Sequence, residues 1–261
     1  MKASNVWKDL RLRIVSASFL LLVSAICINS GDLVFTFFVL SVVGIVHWEL
    51  GTMLTPTSGQ APWFSAFFST MLLFYIIGIN NVVSILVILL VNFFFQRIFF
   101  HHSKNLGALY SSAIIVCGMV FYNVRLEFGL HHLVWLISIV ILTDTAGYLT
   151  GRLFGGPKVL PSISPNKTWS GVFGGWLAVG IFSLFFVGSV APPDLMVAFV
   201  VGSILLSLAA QLGDMFQSYL KRISKVKDSS NLIPGHGGFM DRFDGFIGAT
   251  VVMGFFFEWI I

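Results

Sequence analysis

Charge is what this sequence has least of. Only 10% of its 261 residues are Asp, Glu, Lys or Arg, against 57% hydrophobic ones, where a soluble domain carries about a quarter charged. An ordinary water-soluble domain is thereby excluded, although the length alone would allow one or two. Acidic residues number eleven, so each one that falls within an apolar run needs a reason. Cysteine is nearly absent as well. Cys27 and Cys117 both sit inside apolar runs, which excludes a disulfide framework and any cysteine-based metal spacing and leaves them as small buried hydrophobes. The formal net charge of +4 does not call for nucleic acid, because in such a composition the placement of basic residues matters more than their sum.

What the chain has in abundance is apolar runs. A bilayer core takes about 20 apolar residues per helix, within roughly 17–25. That window predicts nine spans, at about 14–30, 33–51, 63–79, 81–97, 106–122, 132–150, 168–190, 195–217 and 242–261. The Asn80-Asn81 pair reads as a tight turn. The first run follows Lys2, Lys8, Arg11 and Arg13, but it is longer than a signal-peptide core and no small-residue cleavage pattern follows, so it is expected to be retained. With the N-terminus inside, every basic residue except Arg125 falls on the cytoplasmic side, a strong positive-inside bias. The expected fold is all-α: a polytopic integral membrane helical bundle of about nine transmembrane helices in the cell inner membrane. It forms one membrane domain over 1–261, with N-terminal helices in 1–130 and the chemistry in 131–261.

Polar groups are distributed unevenly along these spans. His101-His102 and His131-His132 stand at predicted helix ends, where adjacent residues cannot share a helical face, and read as interfacial anchors. Glu49, near the inner end of the second helix, is a functional candidate by its depth or a hydrogen-bonded structural group. The last third is denser. Asp144 in ILTDTAGY and Asp214 in AAQLGDMFQS lie toward the inner ends of the sixth and eighth helices. Asp241 and Asp244 are expected to begin the ninth on one face, three residues apart. Carboxylates gathered at one depth repel, and a hard divalent cation such as Mg²⁺, which takes oxygen ligands, relieves that cost.

Two inner loops add the rest, GRLFGGPKVLPSISPNKTWSG from Gly151 and SYLKRISKVKDSSNLIPGHGGFMDRFDG from Ser218. Gly235, Gly237 and Gly238 let the backbone approach a ligand and turn N–H groups toward an anion. Lys167, Lys221, Arg222, Lys227 and Arg242 offer charge to a polyphosphate. Basic loops that only set topology would explain the sign of these residues, but not the glycines and aspartates among them.

From Ser218 to Asp244 the chain resembles the signature of phosphatidate cytidylyltransferases, also called CDP-diacylglycerol synthases. The matching positions are Ser218, Leu220, Lys221-Arg222, Lys227-Asp228, Ser230, Pro234, His236-Gly237-Gly238, Asp241-Arg242 and Asp244. Asp144 to Tyr148 and Ser164-Pro165-Asn166-Lys167-Thr168 are similar to two further elements of that family, so the resemblance covers roughly the C-terminal half. Gln217 stands where the family usually has an acidic residue, and Ala146-Gly147 inverts the usual order.

The resemblance implies attack by the phosphate of phosphatidate on the α-phosphorus of CTP, giving CDP-diacylglycerol and pyrophosphate at the cytoplasmic face of the lipid bilayer. It implies metal ligation by Asp214, Asp241 and Asp244, with Asp144 as a further ligand or orienter. Lys221, Arg222, Lys227 and His236 would contact phosphates, with Asp228 in the same catalytic set. Lys167 would close the site from the other loop, and Ser164, Ser218, Gly237, Gly238 and Arg242 would help bind substrate. A CTP-dependent enzyme acting on another lipid phosphate or an isoprenoid lipid is the nearest alternative. An ion-coupled transporter is less well matched, since it predicts interrupted helices at the midplane and an internal repeat. Gly171 and Gly175 form a small-xxx-small pair suited to close helix packing within the bundle, with a homodimer as the alternative.

Overall fold

The computed structural model describes residues 3–55, 61–79 and 81–260, with side chains from 14–55, 62–79 and 81–255. Lys2 and Asn80 lie outside the described residues, as do the side chains of Lys8, Arg11 and Arg13. The helices are α1 (Ala3–Asn29), α2 (Asp32–Leu54), α3 (Ala61–Ile76), α4 (Val82–Phe99), α5 (Lys104–Asn123), α6 (Leu130–Phe154), α7 (Trp169–Ser183), α8 (Met196–Ile223) and α9 (Asp244–Ile260). The chain is an all-α polytopic membrane protein. Among the described residues, six helices are long and apolar enough to cross a membrane, and the apolar stretches Ile14–Asn29, Pro62–Ile76 and Asp244–Phe255 are shorter.

The structure moves several expected boundaries. α8 runs on to Ile223, so Ser218, Lys221 and Arg222 are helical rather than part of a loop. Hydropathy ends a span where polar residues begin, but a helix continues as long as its backbone bonds are made. Helix α7 stops at Ser183, well short of 190, and gives way to a 3₁₀ turn at Leu184–Phe186. Asp241 lies in a separate 3₁₀ turn, Met240–Arg242, and α9 begins only at Asp244, so the two aspartates do not share the first turn of one helix. The unexpected strands are β1 (Lys158–Leu160) and β2 (Ser164–Thr168), an antiparallel pair with Lys158 opposite Thr168 and Leu160 opposite Ser164.

The chain forms two compact units, residues 1–118 with 223–243 and residues 119–222 with 244–261. In the first, α2 packs along α3 and α3 against α4. Lipid supplies no hydrophobic drive between helices, so polar side chains tie them. Asn92 on α4 accepts from Ser69 of α3 at 2.8 Å and donates to Ser111 and Ser112 of α5. Gln96, one turn on, accepts from Ser65 at 2.6 Å and donates to Ser69 at 2.7 Å. His47 of α2 meets Ser111 Oγ at 3.0 Å. All of these groups are buried.

In the second unit, close backbone approach organises the helices. A Cβ on Gly171 of α7 would lie 2.5 Å from the Gly147 carbonyl oxygen of α6. Gly171 and Gly175 therefore serve the α6–α7 contact. A Cβ on Gly213 of α8 would lie 2.8 Å from Gly248 Cα of α9 and 2.6 Å from the Asp244 carbonyl oxygen. Thr143 of α6 donates to Ser207 of α8 at 2.7 Å.

Candidate active site

Each glycine contact carries a functional residue with it. β2 ends at Thr168, which is the N-cap of α7; its hydroxyl accepts from Gly171 N–H at 3.3 Å. Lys167 is the residue before that cap, so capping fixes where its side chain leaves the chain. Its Nζ reaches α8, donating to the Gln211 carbonyl at 3.2 Å and pairing with Asp214 Oδ2 at 2.6 Å. The Gly213–Gly248 crossing then brings the start of α9 beside the same stretch of α8. There Asp244 Oδ1 accepts its neighbour's Gly245 N–H at 2.8 Å. Asp144, Asp214 and Asp244 are close enough to repel one another, with Lys167 drawing on Asp144 and Lys221 on Asp244.

Asp144, Ser164, Lys167 and Asp214 open onto a cavity of about 450 Å³, whose wall also includes Tyr148, Arg152, Lys158 and Asn166. Sequence reasoning passed over Tyr148, Arg152 and Lys158 as site residues. A signal was present for two of them: Asp144, Tyr148 and Arg152 recur every four residues and share one face of α6, and Arg152 Nη1 donates to the Tyr148 hydroxyl at 3.0 Å. Ser218 and Arg222 are on the last turns of α8 and do not line the cavity. Gln217 is fully buried.

The remaining candidates belong to the first unit. Lys227 and Asp228 are exposed, and His236 is half-buried with Nδ1 3.0 Å from Ser16 Oγ. Arg242 Nη2 donates to the His236 carbonyl at 2.6 Å. Gly237 adopts φ +83, a conformation that costs glycine little, and a Cβ there would crowd Asp228 and Asp241 at 3.3 Å. The anion met by the Gly238 N–H is the chain's own. Asp241 Oδ2 accepts from Gly238 N at 3.1 Å, Ser229 N at 2.9 Å and Ser229 Oγ at 3.1 Å.

Glu49 is fully buried on α2 and takes four donors, two on each oxygen: Phe239 N–H and Ser230 Oγ on Oε1, Met240 N–H and Ser229 Oγ on Oε2. Hydrogen bonds to a charged group contribute about 1.5–3 kcal/mol each. Four of them are on the order of the several kcal/mol that removing one ion from water costs.

The second unit thus presents mutually repelling carboxylates, an ion-paired lysine and further cations around one cavity among apolar helices. Charges so placed can meet a cation and the oxygens of a phosphate-bearing ligand. The chain belongs to the cytidylyltransferase family, whose model matches residues 11–260. It is 44% identical over 126 residues to a Brucella suis protein named phosphatidate cytidylyltransferase, covering 48% of this chain and 46% of the relative. Proteins of the same name from Staphylococcus haemolyticus and Staphylococcus aureus are 42% identical over 142 residues and 44% over 144, each covering 53% of this chain and 54% of the relative. The chain thus aligns with about half the length of these curated relatives.

Proposed function

We propose that this protein transfers the cytidylyl group of CTP to phosphatidate at the cytoplasmic face of the membrane, releasing pyrophosphate. The observation that carries this reading is the Lys167–Asp214 pair, 2.6 Å apart, on a cavity shared with Asp144, Arg152 and Lys158. The relatives' shared name and the family match support it.

A phosphate oxygen of phosphatidate forms the new bond to the α-phosphorus of CTP as the bond from that phosphorus to the bridging oxygen of pyrophosphate breaks. A phosphomonoester is already nucleophilic near neutral pH, so the chain need not supply a strong base. Its task is positioning and charge stabilisation. Lys167, Arg152 and Lys158 bind phosphate oxygens as charge builds on them, and Asp214 holds the Lys167 ammonium against α8.

Among the described residues, no three His, Cys, Asp or Glu side chains form a ready-made metal cage. The donor chemistry nonetheless fits Mg²⁺, which is usually held by one or two carboxylates together with substrate phosphates and water. One or two of Asp144, Asp214 and Asp244 would hold it. Once bound, it would supply positive charge to the phosphates and relieve the carboxylate repulsion. Asp241, with three donors on Oδ2, is assigned to shaping its own loop.

The test is purified protein in detergent with CTP, phosphatidate and Mg²⁺, following pyrophosphate and a CDP-lipid. Equimolar appearance of both is the expected result. Absence of both, or equal rates with CTP and with other nucleotides, would overturn the assignment.

A further inference from the structure

We infer that Glu49 is a positioning residue for this reaction, holding the Ser229–Met240 segment in its working shape from inside α2. The inference rests on the reading above, in which this segment carries His236 and leads into Asp244. Glu49 is one of the few acidic side chains in the chain and is fully buried. Its partners come from far along the sequence: Ser229 and Ser230 lie 180 and 181 residues away, and Phe239 and Met240 190 and 191. Two carboxylate oxygens offer about four lone-pair directions, and all four are filled by this one segment.

The arrangement has an internal logic. Ser229 Oγ sits between two carboxylates, 3.3 Å from Glu49 and 3.1 Å from Asp241. Its one proton serves one of them at a time, and its backbone N–H serves Asp241 as well. Glu49 thereby fixes both ends of the segment, the serines before the turn and the backbone of Phe239 and Met240 after it. Asp241 closes the middle through Gly238. The clamp also accounts for a glycine at 238, because a Cβ there would fall 1.7 Å from Ser229 Oγ. A carboxylate needed only for helix packing would be expected to bond neighbouring helices, as Asn92 and Gln96 do. Glu49 bonds the segment instead.

The experiment uses the full-length protein in detergent and compares Glu49→Gln, Glu49→Asp and Ser230→Ala with the wild type. Two readouts are taken: amide hydrogen exchange across the chain, which separates local from global opening, and the rate of CDP-lipid formation. In Glu49→Gln, exchange across 228–243 should rise by about tenfold or more while α3 and α5 stay protected. Synthesis should fall by about ten- to a hundredfold, as expected when a buried charged acceptor is removed. Glu49→Asp should recover part of both, and Ser230→Ala should show the same local pattern more weakly.

Unchanged exchange in the segment would overturn the inference. So would exchange that rises evenly through α2 to α5, or a loosened segment with wild-type synthesis. Should Glu49→Gln fail to fold, the two milder variants decide the matter on the same criteria. If the wild type itself makes no CDP-lipid, the proposed function fails, and the exchange pattern still decides whether Glu49 holds the segment.

Discussion

In the first unit the chain answers its own carboxylates: Glu49 is met by four donors and Asp241 Oδ2 by three, backbone or serine groups nearby in space, with the Ser229 hydroxyl shared between the two. In the second unit Asp144, Asp214 and Asp244 face one another's charge, and the single short ion pair from Lys167 leaves their repulsion in place. The same functional group is used in two ways. Fully bonded carboxylates hold a fixed shape, whereas partly answered ones, of which Asp144 and Asp214 line a cavity, retain attraction for an incoming cation or for groups that carry one. Burial alone does not distinguish them; their donors do.

The sharpest way to break this comparison is to neutralise the partly answered group. Asp214→Asn removes the partner of Lys167 while keeping side-chain size, and Asp244→Asn removes the carboxylate at the start of α9. Each should reduce CDP-lipid synthesis by about a hundred- to a thousandfold, the loss typical of removing one group that meets developing charge. Thermal unfolding should change little, because relief of repulsion offsets the lost contact. Excess chelator should abolish wild-type activity. Wild-type rates in both mutants, or full activity in chelator, would show that these carboxylates take no part in the reaction.

The next effect falls on the other member of the comparison. Gly238→Ala places a methyl group 1.7 Å from Ser229 Oγ, so the Glu49–Ser229–Asp241 arrangement must open. Overpacking of this kind costs about 1–3 kcal/mol, read as a lower unfolding temperature and faster exchange across 228–243. Synthesis should fall, though by less than for Asp214→Asn. An unchanged unfolding temperature would mean that the segment is looser than the structure shows.

How much of this was readable beforehand follows from where each signal resides. The helices were readable because apolar runs mark them, and Asp144 and Asp214 because polar residues in such runs stand out; Lys167 was read from a basic inner loop. The end of α8 was not, since Ser218, Lys221 and Arg222 look like loop to hydropathy while their backbone continues the helix. The Lys158–Thr168 hairpin lacks a clear apolar–polar alternation. The role of Glu49 was left open between function and structure, because partners 180 or more residues away leave no local trace. Asp241 was placed on the wrong element because spacing of three suggests one helical face, and the 3₁₀ turn at Met240–Arg242 intervenes.

A smaller effect is expected at His236. Its Nδ1 lies 3.0 Å from Ser16 Oγ, so Nε2 is the ring nitrogen left to face phosphate, as a donor when it carries the proton. A neutral hydrogen bond contributes about 1 kcal/mol, so His236→Gln should lower synthesis roughly fivefold, and His236→Ala should lower it further. The shape of the pH–rate profile should survive both changes, because the phosphate nucleophile needs no proton removed by the protein. Loss of one limb of the profile in the mutants would make His236 a proton-transfer group.

The smallest effect, none on synthesis, is expected from a label that tests which side of the membrane the segment faces. For the basic residues of the segment, Lys225 and Lys227 among them, the positive-inside rule predicts the cytoplasmic side, where the proposed substrate CTP is found. Ser229 is a poor place for the probe, since it is buried between Glu49 and Asp241, and a cysteine there would disturb the arrangement under test. Asn231 is exposed and two residues away. In a background carrying Cys27→Ala and Cys117→Ala, an Asn231→Cys protein should keep wild-type synthesis. In intact cells it should resist a membrane-impermeant thiol reagent, and in opened membranes it should react fully. Ready labelling from outside would invert the topology and take CTP away from the segment. Resistance in both preparations would mean that Asn231 is covered, and an exposed neighbour such as Leu232 would then carry the probe.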